Sequence, residues 1–486
     1  MPQDQVNRRG FIATTAAGAA LAAAPAIAAN DANANSRLRL GYIGVGGRAQ
    51  AHINHALQLQ KEENLVEIAT VCDVFNRYRD DTAKHVENES GKAPKKTGDY
   101  RDILNDDSID AVVISTPDHW HAKQTIDSLK AGKHVYCEKP MTHSVEEALA
   151  VHQAWKDSGL VMQVGVQSTS LPVWQSINEK IRQGDLGKVM QYQTEFFRNS
   201  DMGQWRYYGL SKDMNPSNID WDMFLGTEFG LAPAMPFDRA KFAQWRCYWD
   251  FGSGMFTDLF VHRTTSMLKA TGLRFPGRVV GAGGIYLEYD GRTVPDVATV
   301  VADFNEGVQG LVTATMCSGE TPIKQLIRGH SGSVVLGVGE EFSGYDFVAE
   351  RPQVHHERGL KDERIEVGKI NNTSKAHLKN FAEAVNAGDP SKVNCSPELG
   401  AAAMTIVKLG SRSYREGKVY HFDQDSMSFS DGNPSWAEKW EARSAERGEP
   451  SHVAGWEAGD RGSKLFPRPY QKLEGPWVDG KDPAAT

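Results

Sequence analysis

Residues 38–49 read Leu-Arg-Leu-Gly-Tyr-Ile-Gly-Val-Gly-Gly-Arg-Ala. The run Leu38–Ile43 is short, mostly apolar and rich in strand-favouring residues, which predicts a buried parallel strand. It ends in a glycine-rich turn with the spacing G-x-G-x-x-A, where Gly44 permits a tight turn and Gly46 leaves room for a pyrophosphate against the backbone. Ala49 lets the next helix pack closely, with its N-terminus beneath the phosphates. The stretch therefore predicts the strand, turn and helix of a dinucleotide-binding fold.

A second strand and an acid follow in the order that such a fold requires. After a helix-like segment, residues 50–60, the apolar run Val66–Val71 ends at Cys72 and Asp73. An acid at the tip of the second strand holds the adenosine ribose 2′-hydroxyl in dinucleotide folds. Asp73 lies further downstream than the usual ~20 residues, which a longer connection through the polar residues 61–64 explains. The alternative is a chance glycine turn followed by an aspartate that caps the next helix.

Length and composition narrow the class of protein. A chain of 486 residues predicts two domains. Its 40% hydrophobic and 24% charged content and its mean hydropathy of −0.48 are typical of a soluble globular protein. A net charge of −8 and a pI near 6.0 argue against a nucleic-acid or anionic-membrane surface. The five cysteines are odd in number and lack C-x-x-C spacing, so neither a disulfide framework nor a metal site is predicted.

Residues 1–36 are predicted to be a twin-arginine export signal and linker. Arg8 and Arg9 precede an alanine-rich run that ends near Ala28, the expected cleavage site. The run is too short and too weakly apolar for stable membrane insertion, although a disordered leader or a short anchor is the alternative. The export machinery is therefore an expected partner and the periplasm the expected location. Since twin-arginine substrates are exported folded, a nicotinamide cofactor would travel tightly bound and be regenerated in place.

The pattern of strands alternating with helices continues through residues 37–166. Strand-like runs at 111–115, 134–137 and 161–166 alternate with helical segments, which predicts a doubly wound parallel sheet, the Rossmann architecture. Ligands of such sheets bind beyond the carboxyl ends of the strands. We therefore expect the turn at Thr116-Pro117 and the side chain of Lys139 at the mouth of the cleft.

Two motifs in this region resemble those of the glucose–fructose oxidoreductase/inositol dehydrogenase (Gfo/Idh/MocA) family. Residues 116–121, Thr-Pro-Asp-His-Trp-His, match its T-P-x-x-x-H turn, and residues 131–140 match A-G-K-H-V-x-x-E-K-P. The resemblance covers about residues 37–425 and implies that Lys139 contacts both the nicotinamide ribose and the substrate. A cation beside a substrate alcohol would also stabilise the developing alkoxide; the alternative is a surface lysine before a turn proline.

The resemblance and the dinucleotide motifs together define the expected cofactor and its site. We expect NAD, because Asp73 would repel a 2′-phosphate, while Arg77 and Arg79 nearby leave NADP open. The expected cofactor-binding residues are Gly44, Gly46, Gly47, Arg48, Asp73, Thr116, Pro117, His121, Glu138 and Lys139.

Residues 167–425 are predicted to form an α+β substrate-binding domain. Five strand-like runs between residues 278 and 337 are divided by glycine-bearing turns, which predicts a large open antiparallel sheet. Helices are expected at 374–387 and 397–416. In the family the open face of this sheet commonly forms the oligomer interface, so the resemblance implies a homo-oligomer. Residues 426–486 are expected to be a polar C-terminal extension.

Residues 201–250 are rich in aromatic side chains, which suit the C–H faces of sugars but also pack protein cores. The motifs at 218–226 and at Trp245-Arg246 look like those of a family subgroup that also carries twin-arginine signals. The expected substrate-binding residues are Trp245, Arg246, Trp249 and Asp258.

Asp258 and His262 lie four residues apart after glycines that open a helix, so both are expected on one helix face. The family's pattern is G-G-G-x-x-x-D-x-x-x-H, in which Ser253 replaces the middle glycine here. The match implies that His262 is the general base and that Asp258 is its partner near the substrate. Histidine suits the role because its pKa lies near the operating pH. A structural hydrogen bond or half of a metal site are the alternatives.

The sequence thus predicts a nicotinamide-dependent oxidoreductase that oxidises a hydroxyl of a sugar, polyol or glycoside, a small-molecule carbohydrate. His262 would take the hydroxyl proton, Lys139 would polarise the oxygen, and Asp258 would orient the substrate or the imidazole. One alternative is an NAD-dependent glycoside hydrolase that acts by transient oxidation and elimination. Known N-acetylgalactosaminidases of this type usually lack the lysine, which favours net oxidation here. The other is a non-catalytic exported sugar-binding protein.

Overall fold

The computed structural model describes residues 37–337, 342–350, 359–432 and 436–446. The predicted export signal, residues 1–36, and residues 447–486 of the predicted C-terminal extension lie outside the described residues. Within the described ranges, no helix combines the length and apolarity needed to cross a bilayer.

The N-terminal part contains a six-stranded sheet in the order β3-β2-β1-β4-β5-β6, with every neighbouring pair parallel. This is the strand order of a dinucleotide-binding doubly wound fold, so the predicted architecture is confirmed. The strands are β1 Leu38–Ile43, β2 Val66–Cys72, β3 Lys95–Thr97, β4 Ala111–Ile114, β5 His134–Glu138 and β6 Met162–Gly165. The helices between them are α1 Gly47–Glu63, α2 Asn76–Ser90, α3 Arg101–Leu104, α4 Asp118–Lys130 and α5 Val145–Ser158.

The second part contains a ten-stranded sheet in the order β14-β13-β12-β11-β7-β10-β9-β8-β15-β16. Its strands are β7 Val189–Glu195, β8 Arg278–Gly284, β9 Val297–Phe304, β10 Val308–Thr315, β11 Gln325–Gly329, β12 Gly332–Leu336, β13 Gly344–Ala349, β14 Glu363–Glu366, β15 Tyr420–Asp423 and β16 Ser428–Ser430. The prediction of an antiparallel sheet needs one correction, because β7 pairs with β10 in parallel. A long crossover between β7 and β8 brings the chain back in the same direction, as a parallel pair requires.

The remaining helices join the two sheets into one core. They are α6 Pro172–Arg182, α7 Trp221–Leu225, α8 Arg239–Ala243, α9 Val261–Thr271, α10 Thr373–Asn386, α11 Pro397–Glu416 and α12 Trp436–Glu446, with a π-helical turn at Phe256–Phe260. Leu378 and Phe381 of α10 pack in the same core cluster as Leu40 and Tyr42 of β1. A helix that the sequence assigned to the second domain therefore covers the first sheet.

The start of the predicted C-terminal extension belongs to the second sheet. Strand β16 pairs antiparallel with β15. The indole of Trp436 covers Gly277, where an added Cβ would collide with the ring. Lys439 donates a hydrogen bond of 2.6 Å to the side-chain oxygen of Asn305. Residues 428–430 thus add a strand to the sheet, and the helix at residues 436–446 packs against the turns at Gly277 and Asn305.

Candidate active site

A cavity of about 670 Å³ opens at the carboxyl ends of the parallel strands and is closed on its other side by residues of the second part of the chain. Parallel sheets place their strand-end turns together at this edge, which is where ligands bind. Turns after β1, β2, β4 and β5 line the cavity with Gly44, Asp73, Thr116 and Lys139. His262, at the start of α9, lines the same cavity from the opposite part of the chain.

The glycine-rich turn leaves room for a phosphate group. Gly44 has a φ of +78°, and a Cβ there would lie 2.8 Å from the backbone nitrogen of Thr116. At Gly46 a Cβ would contact only the Tyr78 ring, at 3.5 Å, and at Gly47 it would meet nothing within 4 Å. The first turn of α1 carries no acidic residue and no side-chain cap, so its free N–H groups suit an anion. The turn fits the pyrophosphate of a dinucleotide.

Asp73 lines the cavity and also holds the glycine turn in place through hydrogen bonds. Its two carboxylate oxygens accept hydrogen bonds of 2.8 Å from the backbone N–H groups of Val45 and Phe75. Burial raises the pKa of Asp73 to about 6, against the lowering effect of the two backbone N–H groups. The carboxylate therefore holds the glycine turn to the start of α2, a role that the sequence did not indicate, and Asp73 also lines the cavity.

Glu138 forms a buried ionic contact behind the turn. Its Oε1 accepts hydrogen bonds from Arg48 Nε at 2.8 Å and from His52 Nε2 at 2.5 Å, and its Oε2 accepts one from the Lys139 N–H at 3.0 Å. Burial would raise the pKa of Glu138, but the Arg48 charge and the His52 hydrogen bond hold it well below its usual range. Arg48 lines the cavity, and its Nη2 is buried without a hydrogen-bond partner in the described part of the chain. That donor suits an anionic ligand.

His121 joins the two turns at the mouth of the cavity. Its Nδ1 lies 2.5 Å from the carbonyl oxygen of Pro140 and its Nε2 lies 2.8 Å from that of Thr116. Carbonyl oxygens only accept hydrogen bonds, so both ring nitrogens donate, which requires the imidazolium form. Burial favours the neutral ring, but the Cys137 sulfur, the Asp118 charge and the Pro140 carbonyl raise the pKa of His121 to about 9. His121, predicted to bind the cofactor, lines the cavity and holds the turns at Thr116 and Pro140 together.

Lys139 meets Asp258 across the cavity. The Lys139 Nζ lies 2.6 Å from Asp258 Oδ1 and also donates to the Asp258 carbonyl oxygen at 3.1 Å. Arg246 Nε donates to the same Oδ1 at 3.1 Å, and Trp205 Nε1 donates to Oδ2 at 2.9 Å. Burial would raise the pKa of Asp258, but the Lys139 and Arg246 charges hold it well below its usual range. Asp258 therefore stays ionised and fixes the ammonium group.

The backbone around Asp258 departs from the predicted regular helix. Residues Phe256–Phe260 form a π-helical turn before α9 begins at Val261, and such turns are frequent at functional sites. Trp205, whose indole holds Asp258, has a φ of +67°, a rare conformation for a bulky side chain. Both Asp258 and His262 reach the cavity, but the described residues contain no hydrogen bond between them. Asp258 binds Lys139 directly, and it lines the cavity together with His262.

His262 is half-buried at the cavity wall, with its ring 6.2 Å from that of Phe196. Burial and the Lys139 charge lower the pKa of His262 well below its usual value, while Asp258 opposes them. The ring is therefore neutral at physiological pH and able to accept a proton.

The predicted substrate-binding residues divide into two groups. Trp245 and Arg246 line the cavity, and the Arg246 guanidinium lies 4.1 Å from the Trp245 ring centre. Trp249 does not line it: its ring packs near those of Phe256 and Tyr414, at 6.3 and 6.5 Å. Trp249 is therefore not brought together with Trp245 and Arg246 at this cavity, and its contact with substrate stays a prediction.

Sequence reasoning missed Arg198, which lines the cavity just beyond the end of β7. No motif marks this arginine, and only its position after an alternating strand could have suggested it. Tyr207 and Tyr208, noted in the sequence among many aromatic residues, also line the cavity. Within the described ranges, no group of three or more His, Cys, Asp or Glu side chains is placed to hold a metal ion.

Residues 38–166 match a family model described as the oxidoreductase family with an NAD-binding Rossmann fold. An alpha-N-acetylgalactosaminidase from Shewanella oneidensis and a glycosyl hydrolase family 109 protein from Shewanella sp. strain MR-4 are each 30% identical over 192 residues. Those matches cover 36% of this chain and 40% of each relative. The chain thus spans well under half the length of the curated relatives it matches.

Solved structures share the fold over most of the chain. Levoglucosan dehydrogenase in complex with NADH and levoglucosan is 20% identical, with a TM-score of 0.58, over 82% of this chain and 99% of that one. The WlbA dehydrogenase from Bordetella pertussis in complex with NADH and UDP-GlcNAcA is 18% identical, with a TM-score of 0.58, over 80% and 100%. The family match and the fit of the glycine turn support NAD as the cofactor. Residues 38–166 thus match the NAD-binding domain of the Gfo/Idh/MocA oxidoreductase family.

Proposed function

We propose that the protein oxidises a hydroxyl group of a sugar, polyol or glycoside by hydride transfer to tightly bound NAD. The observation that carries this proposal is that Lys139 and His262, which come from different parts of the chain, line one cavity together with the glycine turn of residues 44–47. A cation and a neutral imidazole on one cavity wall are the two groups that alcohol oxidation requires. Bound NAD would supply the hydride acceptor.

His262, Lys139 and Asp258 each have a distinct role in removing the proton of the substrate hydroxyl. His262 accepts the hydroxyl proton, since burial and the Lys139 charge keep its ring neutral. Lys139 lies beside the substrate oxygen and stabilises the negative charge that develops as the proton leaves. Asp258, held also by Arg246 and Trp205, fixes the ammonium in place. Positioned groups of this kind account for a large part of enzymatic rate enhancement.

The cavity surface beside these groups suits a carbohydrate. Tyr207 and Tyr208 line it and are 41% and 36% exposed, with ring centres 4.9 Å apart. Exposed aromatic faces beside hydrogen-bonding groups match the alternating C–H and hydroxyl surfaces of sugars. Levoglucosan dehydrogenase, which shares the fold, is a sugar-derivative enzyme by its name, and this supports the same substrate class here.

The test begins with the purified protein. Denaturation should release NAD in near one-to-one amount, and its redox state should change after incubation with a panel of sugars and polyols. His262→Asn and Lys139→Met should retain the bound NAD and lose turnover, each by at least 100-fold. Trp249→Phe, away from the cavity, is the matched control and should keep turnover. Full turnover in His262→Asn would contradict the proposal.

A second candidate is NAD-dependent glycoside hydrolysis, which the 30% identity to glycosyl hydrolase family 109 proteins supports over 192 residues. Lys139 favours net oxidation, because N-acetylgalactosaminidases of this type usually lack the lysine, as noted in the sequence analysis. Incubation with aryl glycosides, without added NAD, separates the two functions. Release of the aglycone with no accumulation of ketone would establish hydrolysis, whereas ketone formation without hydrolysis supports the main proposal.

We propose further that residues 1–36 export the folded protein with its cofactor and that the assembly is a homo-oligomer. The twin arginines Arg8 and Arg9 support the export route. Replacing both with lysine should keep the protein in the cytoplasm, as cell fractionation would show. Light scattering of the mature protein should give a mass above the monomer's.

A further inference from the structure

We propose that the substrate is an acidic carbohydrate, a sugar acid, and that Arg198 binds its carboxylate. This inference rests on the proposed oxidation of a carbohydrate hydroxyl and deepens it by naming the substrate class. It starts from the position of Arg198 on the cavity wall. In the described part of the chain, the Arg198 guanidinium has no carboxylate partner.

Arg198 is held in place without using its charge. Its backbone N–H donates to the Thr315 carbonyl at 2.9 Å, and its carbonyl accepts from the Ser318 N–H at 3.1 Å. The guanidinium lies over the Phe196 ring, 4.6 Å from its centre. Stacking on an aromatic ring orients a guanidinium and leaves its N–H groups at the edge available. The side chain is therefore preorganised for a planar anion.

The same Phe196 ring places Arg198 beside the reacting groups. His262 packs 6.2 Å from the ring that Arg198 covers. Tyr207 gives independent support: burial, Tyr208 and Asp258 raise its pKa to about 12, and Arg198 opposes them. The phenol of Tyr207 thus interacts electrostatically with both Asp258 and Arg198, which lie at the same end of the cavity.

The ion pairs of the cavity leave one lining guanidinium available for a carboxylate. Of the four lysine and arginine side chains that line the cavity, Arg48 pairs with Glu138, and Lys139 and Arg246 pair with Asp258. Arg198, the fourth, forms no ion pair in the described part of the chain. A carboxylate carries one negative charge and presents two oxygens that match a guanidinium, whereas a phosphate monoester carries nearly two.

The experiment measures binding to the NADH-loaded protein by titration calorimetry, which does not depend on turnover. The probes are glucuronate, its neutral methyl ester, glucose and glucose 6-phosphate. Glucuronate should bind roughly 10–100-fold more tightly than its ester, since a hydrogen bond to a charged group contributes that much. Arg198→Gln should remove this preference and leave glucose binding unchanged, while Arg198→Lys should restore part of it.

Arg182→Gln is the matched control, because Arg182 is an exposed arginine at the end of α6 and does not line the cavity. It should behave as the wild type. Equal affinities for glucuronate and its ester, or an undiminished preference in Arg198→Gln, would overturn the inference. The proposed function would still stand in that case if the protein bound the neutral sugar. Tighter binding of glucose 6-phosphate would overturn the carboxylate assignment. Binding of none of the four probes by NADH-loaded protein would contradict the proposed function as well.

Discussion

Replacement of His121 by glutamine is expected to abolish a pH dependence of stability. In the folded protein both ring nitrogens donate to carbonyl oxygens, and the pKa of His121 is raised from 6.5 to about 9. A histidine whose pKa is higher in the folded state stabilises that state fully below its unfolded pKa of 6.5. This contribution is lost as the pH rises through the folded-state pKa of about 9. A rise of this size corresponds to about 3 kcal/mol, lost from the free energy of unfolding across this pH window.

The assay is urea unfolding followed by circular dichroism at several pH values from about 6 to 10. Lys408 contributes with the opposite sign, because burial lowers its pKa from 10.5 to about 8. Its buried charge destabilises the fold below pH 8, and the free energy of unfolding therefore rises as the pH increases from 8 to 10.5. The difference between wild type and His121→Gln is thus the informative quantity. It should be about 3 kcal/mol near pH 6 and shrink towards pH 10.

His85→Gln is the matched control, since His85 bonds only to Asn54 on the surface, and it should follow the wild-type pH profile. If His121→Gln does not fold, the ring nitrogen chemical shifts of His121 in the wild type give the same answer. They should report an imidazolium at pH 8. A His121→Gln profile parallel to that of the wild type, or a neutral ring at pH 8, would refute the reasoning.

Four further outcomes are expected. Asp258→Asn should lower the free energy of unfolding, measured in urea, by about 1–3 kcal/mol, because it leaves two half-buried cations without their carboxylate. Gly44→Ala should destabilise the fold, because its φ is +78° and a Cβ would collide with Thr116. Gly46→Ala should instead keep the unfolding midpoint of the NAD-free protein and weaken NAD binding, as calorimetry can show. Lys139→Met should move the acid limb of the residual pH–rate profile upward, because loss of a neighbouring cation raises the pKa of His262.

The sequence predicted those features that depend on local pattern. Strand β1 and helix α11 have the predicted bounds, because the apolar run before a glycine turn and the Ser396 cap are local signals. Lys139 and His262 were identifiable because strand ends and a motif mark them. These features need no knowledge of distant contacts.

Other features depend on contacts between distant parts of the chain. The Asp258 interactions with Lys139 and Trp205 span 119 and 53 residues, and no spacing rule connects such positions. A π-helical turn has no signature in the i, i+4 pattern, so the sequence placed Asp258 and His262 on one regular helix and did not indicate the contact of Asp258 with Lys139. Arg198 lines the cavity and Trp249 does not, and tertiary packing, which no local pattern records, decides this.

The central claim is that Lys139 and His262 act on one substrate alcohol beside the nicotinamide. A single-turnover measurement of bound NAD reduction, with His262→Asn, Lys139→Met and the double variant, tests it most directly. Each single variant should slow reduction by at least 100-fold, and the double variant should be little slower than the slower single one, because both groups serve the same proton removal. Wild-type rates in either single variant, or fully multiplicative losses in the double variant, would contradict it.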